Sequence, residues 1–195
     1  MPRIVVVSSL TLDGVMQAPG RPDEDTRDGF THGGWAGKYP DEVMAKAMGE
    51  RMSRAGVLLF GRRTYEDLYS YWPNQPANPY TDRLNKAEKY VVSRTLTEPL
   101  PWQNSTLVTG DVPGAVAELT AGTDVCVLGS GELCRTLMAH DLVDEYLLLI
   151  HPLVLGTGRR LFPDGAPVAD LELADSVTTT TGVVIAHYRV QGGAR

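Results

Sequence analysis

Two adjacent arginines in the segment LFGRRTYEDL are the first residues of this sequence that could do chemistry. Arg62 and Arg63 follow a short apolar strand and a glycine, where a helix should begin. A helix start already carries partial positive charge, so two cations are unfavourable there unless an anion binds beside them. Gly61 allows close backbone approach, and Thr64 can cap the helix and donate to a phosphate oxygen. The pattern indicates either an anion site or a solvated basic turn with a threonine cap.

Two further strand ends carry residues that suit an anion. Ser93, Arg94 and Thr95 follow an apolar strand and offer two hydroxyls and a guanidinium, although they are also common loop residues. The segment GSGE, Gly129–Glu132, lies between an apolar strand and a helix. Its glycines let backbone N–H groups point at a ligand, with the helix dipole behind them. It lacks the full G-x-G-x-x-G fingerprint, so a tight strand-to-helix turn is the alternative.

Together the three segments predict one binding site. Ligands in open α/β sheets bind at the carboxyl ends of the strands, which share an edge. A dinucleotide has a pyrophosphate, and its phosphorylated form carries a further phosphate on the adenosine ribose that arginines commonly recognise. We therefore predict NADPH as the cofactor and hydride transfer to a small molecule as the reaction. A nucleotide-binding protein without catalysis is the second hypothesis.

The elements that must position these turns alternate along the chain. Strands are predicted at residues 3–10, 57–61, from 89 onward, 105–110, 124–131 and 143–156, and helices at 39–56, 64–72, 112–122 and 132–142. This alternation predicts a mostly parallel sheet with helices on both faces. The strand-rich last third predicts antiparallel strands and a final hairpin that turns near Gly182. We expect one domain over residues 1–190 and a flexible tail at 191–195.

The composition excludes several classes of protein. A formal net charge of −6 argues against a nucleic-acid binder, which needs a basic face. Cys126 and Cys134 have no further Cys or His at metal-binding spacing, so we expect no metal site and two buried thiols. The first residues lack a signal-peptide pattern, and no apolar run is long enough to span a membrane. A cytoplasmic protein without a membrane partner is therefore expected.

The order of the motifs SSLTLDG, FGRRTYE, VVSRTL, LGSGELCRTL and VDEYLLLIHPLVLGTGRRLF resembles the dihydrofolate reductase-like fold family. The closer resemblance is to the reductase domain of bacterial riboflavin biosynthesis, and it extends from about Ile4 to Phe162. It implies a three-layer α/β/α fold with a mostly parallel central sheet and antiparallel C-terminal strands. It also implies a homodimer and an NADPH-dependent activity like that of 5-amino-6-(5-phosphoribosylamino)uracil reductase.

The resemblance also implies roles for individual residues. Arg62 and Arg63 would face the 2′-phosphate of NADPH, and Thr64 its pyrophosphate, beside Gly61. The other implied positions are Ser9 at the nicotinamide carboxamide, Met16 in the loop over that ring, Ser93, Arg94 and Thr95 at the adenosine end, and Gly129, Ser130, Gly131, Glu132 and Leu133 around the pyrophosphate and nicotinamide ribose.

The substrate side is less defined by the sequence. Trp35 and Tyr39 lie where the family has its substrate pocket, although core packing is an equal alternative for Trp35. Asp13 is a candidate acid, but an Asp-Gly pair more often shapes a turn. Dihydrofolate reductases hold the pterin with a carboxylate whose matching position here is near Ala45, which makes a true dihydrofolate reductase the lesser alternative. No catalytic residue is identified.

Overall fold

The computed structural model describes residues 2–54 and 56–192, so residues 193–195 of the expected tail lie outside the described residues. Strands and helices alternate through most of this part of the chain, as predicted. The strands are β1 (Ile4–Thr11), β2 (Val57–Gly61), β3 (Lys89–Val92), β4 (Ser105–Val108), β5 (Val125–Leu128), β6 (Glu145–His151), β7 (Leu171–Thr178) and β8 (Val184–Val190). The helices are α1 (Glu42–Arg54), α2 (Arg62–Tyr71), α3 (Pro79–Lys86), α4 (Val112–Gly122) and α5 (Gly131–Ala139).

The strands form one eight-stranded sheet in the order β4-β3-β2-β5-β1-β6-β8-β7. The strands from β4 to β6 in this order pair in parallel, whereas β8 pairs antiparallel with both β6 and β7. The predicted fold class, a mostly parallel sheet with antiparallel C-terminal strands, is therefore confirmed. Parallel strands all end at the same edge, which brings the turns after β1, β2, β3 and β5 together.

Helices cover both faces of the sheet because its central strands are apolar on both faces. All four residues of β5, and the first four of β2, are buried. On one face, Val116 of α4 and Leu137 of α5 pack in the core. On the other, Tyr65 of α2 and Leu84 of α3 are buried, and Met44 of α1 packs against them. Burial on both faces accounts for the nearly continuous apolar runs in the sequence.

Three details differ from the sequence prediction. Helix α3 was not predicted, although Asn78 caps it by accepting from the N–H groups of Tyr80 and Thr81. Strand β7 begins at Leu171 and is mostly exposed, so its residues lack the apolar pattern used to predict strands. Helix α2 begins at Arg62, two residues earlier than expected. The predicted turn near Gly182 is present, with Gly182 at φ 83°.

Among the described residues, no helix combines the length and the apolar character that crossing a membrane requires. Both cysteines are buried and free, as expected from the sequence. Burial raises the pKa of each thiol to about 12, so both remain protonated and unreactive at neutral pH.

Candidate active site

A cleft of about 1360 Å³ lies at the edge where the parallel strands end. Every residue that the sequence assigned to cofactor binding lines it. These residues are Ser9, Met16, Gly61, Arg62, Arg63, Thr64, Ser93, Arg94, Thr95, Gly129, Ser130, Gly131, Glu132 and Leu133. The three turns are far apart in the sequence, and the parallel sheet brings them to one site.

Ser130 connects the turn after β5 to the turn after β2. Its hydroxyl oxygen accepts a hydrogen bond from the Gly61 N–H at 2.8 Å and lies 2.8 Å from Thr64 Oγ1, to which it donates. Ser130 has a left-handed backbone with φ 64°, and Gly129 before it has φ 56°. Two consecutive residues in this conformation turn the chain sharply from the strand into α5, and the serine side chain then reaches β2.

The expected role of Thr64 as a helix cap is wrong. Helix α2 begins at Arg62 with Gly61 at the cap position, so Thr64 lies inside the first turn of the helix. Its hydroxyl accepts from Ser130 instead of bonding its own helix. The glycine ends the strand and starts the helix directly, which leaves no room for a separate capping residue.

Two of the helices that start at the cleft, α2 and α5, differ from the other three in their capping. Asp41 caps α1 by accepting from the Val43 and Met44 N–H groups at 2.8 and 3.1 Å. Asn78 and Asp111 cap α3 and α4 in the same way. Helices α2 and α5 have no side-chain cap. Their first N–H groups and their positive dipole ends are therefore available to an anion in the cleft.

The arginines at the cleft are not equivalent. Arg62 forms an ion pair with Glu66 at 2.9 Å, one turn further along α2. Arg63 and Arg94 are exposed, and neither forms an ion pair with any other described residue. Ser93 is buried, and its hydroxyl accepts from the N–H groups of Thr95 and Leu96, so it shapes the turn after β3. Arg63 and Arg94 thus supply uncompensated positive charge for a phosphate.

The segment 13–38, which we call the covering loop, is fastened over the cleft by Gln17. This side chain is buried and donates to the carbonyls of Asp25 and Arg27, both at 3.1 Å. Its oxygen accepts from the Arg159 N–H at 3.0 Å. This role of Gln17 was not predictable from the sequence, because a single glutamine in a polar loop carries no recognisable signal.

The covering loop also contacts the start of α5. A Cβ atom added to Gly131 would lie 2.9 Å from Met16 Sδ, so the glycine allows Met16 to approach the turn closely. Arg27 and Arg159 both form ion pairs with Glu132, at 3.2 and 3.3 Å. Met16 therefore lines the cleft beside the start of α5.

The expected substrate residues Asp13, Trp35 and Tyr39 do not line the cleft, so that prediction is wrong. Asp13 accepts from Thr11 Oγ1 and from two backbone N–H groups of residues 155 and 156, which confirms its alternative role in a turn. The bond from Thr11 is the main cause that holds the pKa of Asp13 below its ordinary value, which favours the ionised form over the acid.

Trp35 and Tyr39 belong to a buried aromatic group around His151. Trp35 is 2% exposed and donates its indole N–H to the Gln17 carbonyl at 2.7 Å. The rings of Trp35 and Tyr39 meet His151 edge-on at 5.1 and 5.4 Å. Burial lowers the pKa of His151, so it is neutral at pH 7. These aromatic residues support the covering loop, which is a structural role.

The part of the cleft away from the three turns is bounded by α1, α2 and the residues after α2. Its apolar wall consists of Met44, Met48, Leu68, Trp72 and Tyr80. Trp72 and Tyr80 pack edge-on at 4.8 Å. Burial raises the pKa of Tyr80 to about 12, so its hydroxyl is a poor acid. Met44 and Met48 are one turn apart on α1, a spacing that core packing explains equally well, so the sequence did not indicate a pocket.

Helix α1 offers no free carboxylate to this wall. Ala45 lines the cleft at the position where dihydrofolate reductases would have the carboxylate. Asp41 also lines it, but caps α1 with one oxygen and with the other accepts from the Thr180 hydroxyl and the Thr181 N–H. The bond from Thr180 is the main cause that holds the pKa of Asp41 below its usual range. This geometry argues against a pterin held from α1.

The turn after β4 is a part of the cleft that the sequence analysis did not assign. Thr109, Gly110 and Asp111 line the cleft beside the turn after β3. The β4 pairing with β3 places them at the same edge. The glycine after the predicted strand was the available signal, but an isolated glycine there is too common to indicate a site.

The chain is similar in sequence to a known family and to a curated relative. The family model of the RibD C-terminal domain matches residues 2–185. The chain is 30% identical over 177 residues to the uncharacterized protein YyaP of Bacillus subtilis (strain 168), which covers 86% of this chain and 92% of YyaP.

Solved structures share the fold. A putative riboflavin biosynthesis protein from Shewanella sp. PV-4 has a TM-score of 0.73 at 22% identity, covering 97% of this chain and 99% of its own. A pyrimidine reductase-like protein from Corynebacterium diphtheriae has a TM-score of 0.66 at 14% identity, over 97% and 92% of the two chains. RibD from Acinetobacter baumannii has a TM-score of 0.65 at 12% identity, over 98% of this chain and 58% of RibD. The protein described here belongs to the RibD C-terminal domain family.

Proposed function

We propose that this protein is an NADPH-dependent reductase that transfers a hydride to a small heterocyclic substrate, with an activity resembling that of 5-amino-6-(5-phosphoribosylamino)uracil reductase. The observation that carries the proposal is the convergence of three turns and two uncapped helix starts on one cleft. Membership of the RibD C-terminal domain family supports a reductase role. The apolar wall beside the turns supports a planar substrate.

The residues of the cleft fit NADPH from one end to the other. Arg62 and Arg63 would bind the 2′-phosphate, with the exposed guanidinium of Arg63 as the main contact. The N–H groups at the starts of α2 and α5 would bind the pyrophosphate. The turn formed by Ser93, Arg94 and Thr95 would hold the adenosine end.

The nicotinamide end would lie between β1 and the covering loop. The Ser9 backbone would contact the carboxamide, and Met16 would cover the ring and exclude water. Bound NADPH supplies the hydride, and the protein orients the ring against the substrate. Met44, Met48 and Leu68 would then hold the substrate on the opposite side of the cleft.

Two titrations and one assay test the proposal. Fluorescence titration with NADPH and NADH should show binding with a preference for NADPH. Oxidation of NADPH is then followed with a panel of pyrimidine and pterin heterocycles. Turnover on any member supports the reductase. Tight NADPH binding without turnover on the whole panel would favour the second candidate, a non-catalytic NADP-binding module, and absence of NADPH binding would overturn both.

We further propose that the protein is a cytoplasmic homodimer that acts on a small molecule, with neither nucleic acid nor membrane as a partner. The resemblance to riboflavin-pathway reductases and the exposed Leu171 and Leu173 on β7 support a dimer. The net charge of −6 supports the absence of nucleic acid. Light scattering should give twice the mass of the chain, and a monomer mass at micromolar concentration would contradict the dimer.

A further inference from the structure

Two carboxylates face the part of the cleft that the proposed cofactor contacts leave free. Glu24 lies in the covering loop and Asp67 on α2, and both line the cleft. Asp67 is three residues after Thr64, so both lie on the same face of the helix. Leu68 of the apolar wall follows it. The carboxylates therefore lie between the cofactor-binding turn and the proposed substrate wall.

Arg21 holds both carboxylates, but in different ways. Its guanidinium forms a two-pronged ion pair with Asp67. Its backbone N–H donates to Glu24 Oε2 at 3.2 Å, and the Gly20 N–H donates to the same oxygen at 2.6 Å. Asp67 thus has a cation as its direct partner, whereas Glu24 has only backbone dipoles.

This difference makes Glu24 the better proton carrier. Burial raises the pKa of Glu24, and the negative charge of Asp67 adds to this, while the N–H bonds from Gly20 and Arg21 oppose the rise without reversing it. Burial also raises the pKa of Asp67, but the guanidinium of Arg21 opposes that shift and favours the ionised form. Both N–H donors bond Oε2 of Glu24, so within the described residues Oε1 has no hydrogen bond and is available to a substrate.

Other charged groups near this part of the cleft are already compensated. Asp25 is paired with Arg27, which also pairs with Glu132. Asp41 is held by the turn between β7 and β8 and by the start of α1. Asp23 lies 3.7 Å from the Arg21 guanidinium. The charged groups that act on Glu24 are therefore chiefly Asp67 on α2 and Arg21 in the covering loop.

The sign of the charge at this position selects the bond that is reduced. Reduction of a carbonyl develops negative charge on oxygen, which an ionised Asp67 would destabilise. Reduction of a C=N bond passes through a protonated nitrogen, whose positive charge Asp67 would stabilise until the hydride neutralises it. A carboxyl group whose proton affinity is raised is also well matched to an imine nitrogen.

We infer that Glu24 is the proton donor of the proposed reductase and that the bond reduced is a C=N bond of a heterocycle packed on the methionines of α1. The inference rests on the proposed function. The proton passes from Glu24 to the substrate nitrogen, and the substrate carbon accepts a hydride with its electron pair from NADPH, which is released as NADP⁺. The product carries new C–H and N–H bonds. Glu24 is left as a carboxylate and takes a new proton from water.

The first test needs no cofactor. Glutamate labelled with ¹³C at the side-chain carboxyl is followed by NMR through a pH titration of the full chain. One resonance should titrate at a higher pH than those of the other glutamates and should disappear in Glu24→Gln. It should remain in the control variant Glu42→Gln, because Glu42 is exposed on α1 and lies outside the cleft. Asp67→Asn should move it to lower pH, because a negative neighbour is lost. A Glu24 that titrates with the exposed glutamates, or that is unaffected by Asp67→Asn, would overturn the inference.

The second test measures the chemistry with defined probes. Protein loaded with NADPH is mixed with the cyclic imine 3,4-dihydroisoquinoline or its ketone counterpart α-tetralone, and the loss of NADPH is followed. The imine should react faster, at a rate that falls as pH rises through the pKa of Glu24. Glu24→Gln should lower the rate of imine reduction about 10²- to 10⁴-fold without lowering the affinity for NADPH. Glu42→Gln should change neither quantity.

A third variant moves the carboxyl without removing it. A Cβ at Gly20 would lie 3.1 Å from Glu24 Oε2, so Gly20→Ala should displace the carboxyl and slow the imine reaction while the NMR titration persists. Three results would overturn the inference. They are an imine reduction rate in Glu24→Gln equal to that of the wild type, faster reduction of the ketone than of the imine, and NADPH binding without reduction of either probe. Absence of NADPH binding would overturn the proposed function instead, and the cofactor-free titration separates the two failures.

Discussion

Ser130 donates its hydroxyl proton to Thr64 Oγ1 across 2.8 Å, although the two residues are 66 positions apart. The same Ser130 oxygen accepts the N–H of Gly61. The bond exists because β2 and β5 are neighbours in the sheet, so their turns lie side by side. Through Ser130, the uncapped starts of α2 and α5 are held in a fixed relation, which preorganises the proposed pyrophosphate site.

We expect Ser130→Ala to reduce both stability and cofactor affinity. It leaves the Gly61 N–H and the Thr64 hydroxyl without a partner, which costs about 1–3 kcal/mol for each group left unsatisfied. Urea unfolding and NADPH titration should both show the loss. The double variant with Thr64→Val should lose less than the sum of the singles, because the two residues share one hydrogen bond. Additive losses would contradict the coupling, and Ser176→Ala on the exposed β7 serves as the control.

We expect the double variant Arg62→Ala, Arg63→Ala to lower the affinity for NADPH much more than the affinity for NADH. Each charge-assisted contact to the 2′-phosphate is worth about 1.5–3 kcal/mol. Since Arg62 is partly neutralised by Glu66, Arg63→Ala alone should have the larger effect. Calorimetry with both cofactors measures the difference. Arg51→Ala, which removes an ion pair with Asp175, should change neither affinity, and equal losses for both cofactors would exclude 2′-phosphate recognition.

We expect Gly131→Val to block cofactor binding while the fold stays intact. The added side chain would occupy the space of Met16 Sδ, 2.9 Å from the new Cβ, and would cover the start of α5. Circular dichroism should be unchanged and fluorescence titration should show no NADPH binding. Gly49→Val on α1, where an added Cβ would meet no side chain within 4 Å, is the matched control. An unchanged NADPH affinity in Gly131→Val would remove this turn from the site.

A pH dependence of stability is expected from Lys89, which is fully buried at the start of β3. Burial lowers its pKa from 10.5 to about 8, and the charge of Arg83 contributes. Between these values the unfolded chain binds more protons than the folded one, so the free energy of unfolding should rise with pH across that window. Hydrogen bonds from Nζ to three carbonyls oppose the shift and limit the rise.

The comparison with Lys89→Met isolates this effect. The difference in unfolding free energy between wild type and variant should change by roughly 1–3 kcal/mol between pH 8 and 10.5, in favour of the wild type as pH rises. Urea unfolding at several pH values measures it. Parallel curves for the two proteins would show that Lys89 keeps its ordinary proton affinity in the folded state.

The order of strands and helices was predictable because parallel strands covered on both faces must be apolar throughout, as β2 and β5 are. Helix α4 was predicted with its observed bounds, since Pro113 in its first turn marks the start. Strand β7 began earlier than predicted, because an exposed strand has no apolar period to recognise. Helix α3 escaped prediction because it is only eight residues long.

The sequence by itself determined which strand ends carry glycine, arginine and hydroxyl residues suited to an anion, because these residue types keep their chemistry in any fold with a shared strand edge. The tertiary structure alone decided which residues form the apolar wall of the cleft. Whether Trp35 faces the cleft or His151 depends on how the covering loop packs against β6. Whether Glu24 lies near Asp67 depends on how the same loop packs against α2. Local sequence does not encode that packing, because the contacts join segments far apart in the chain and form only when the core is complete.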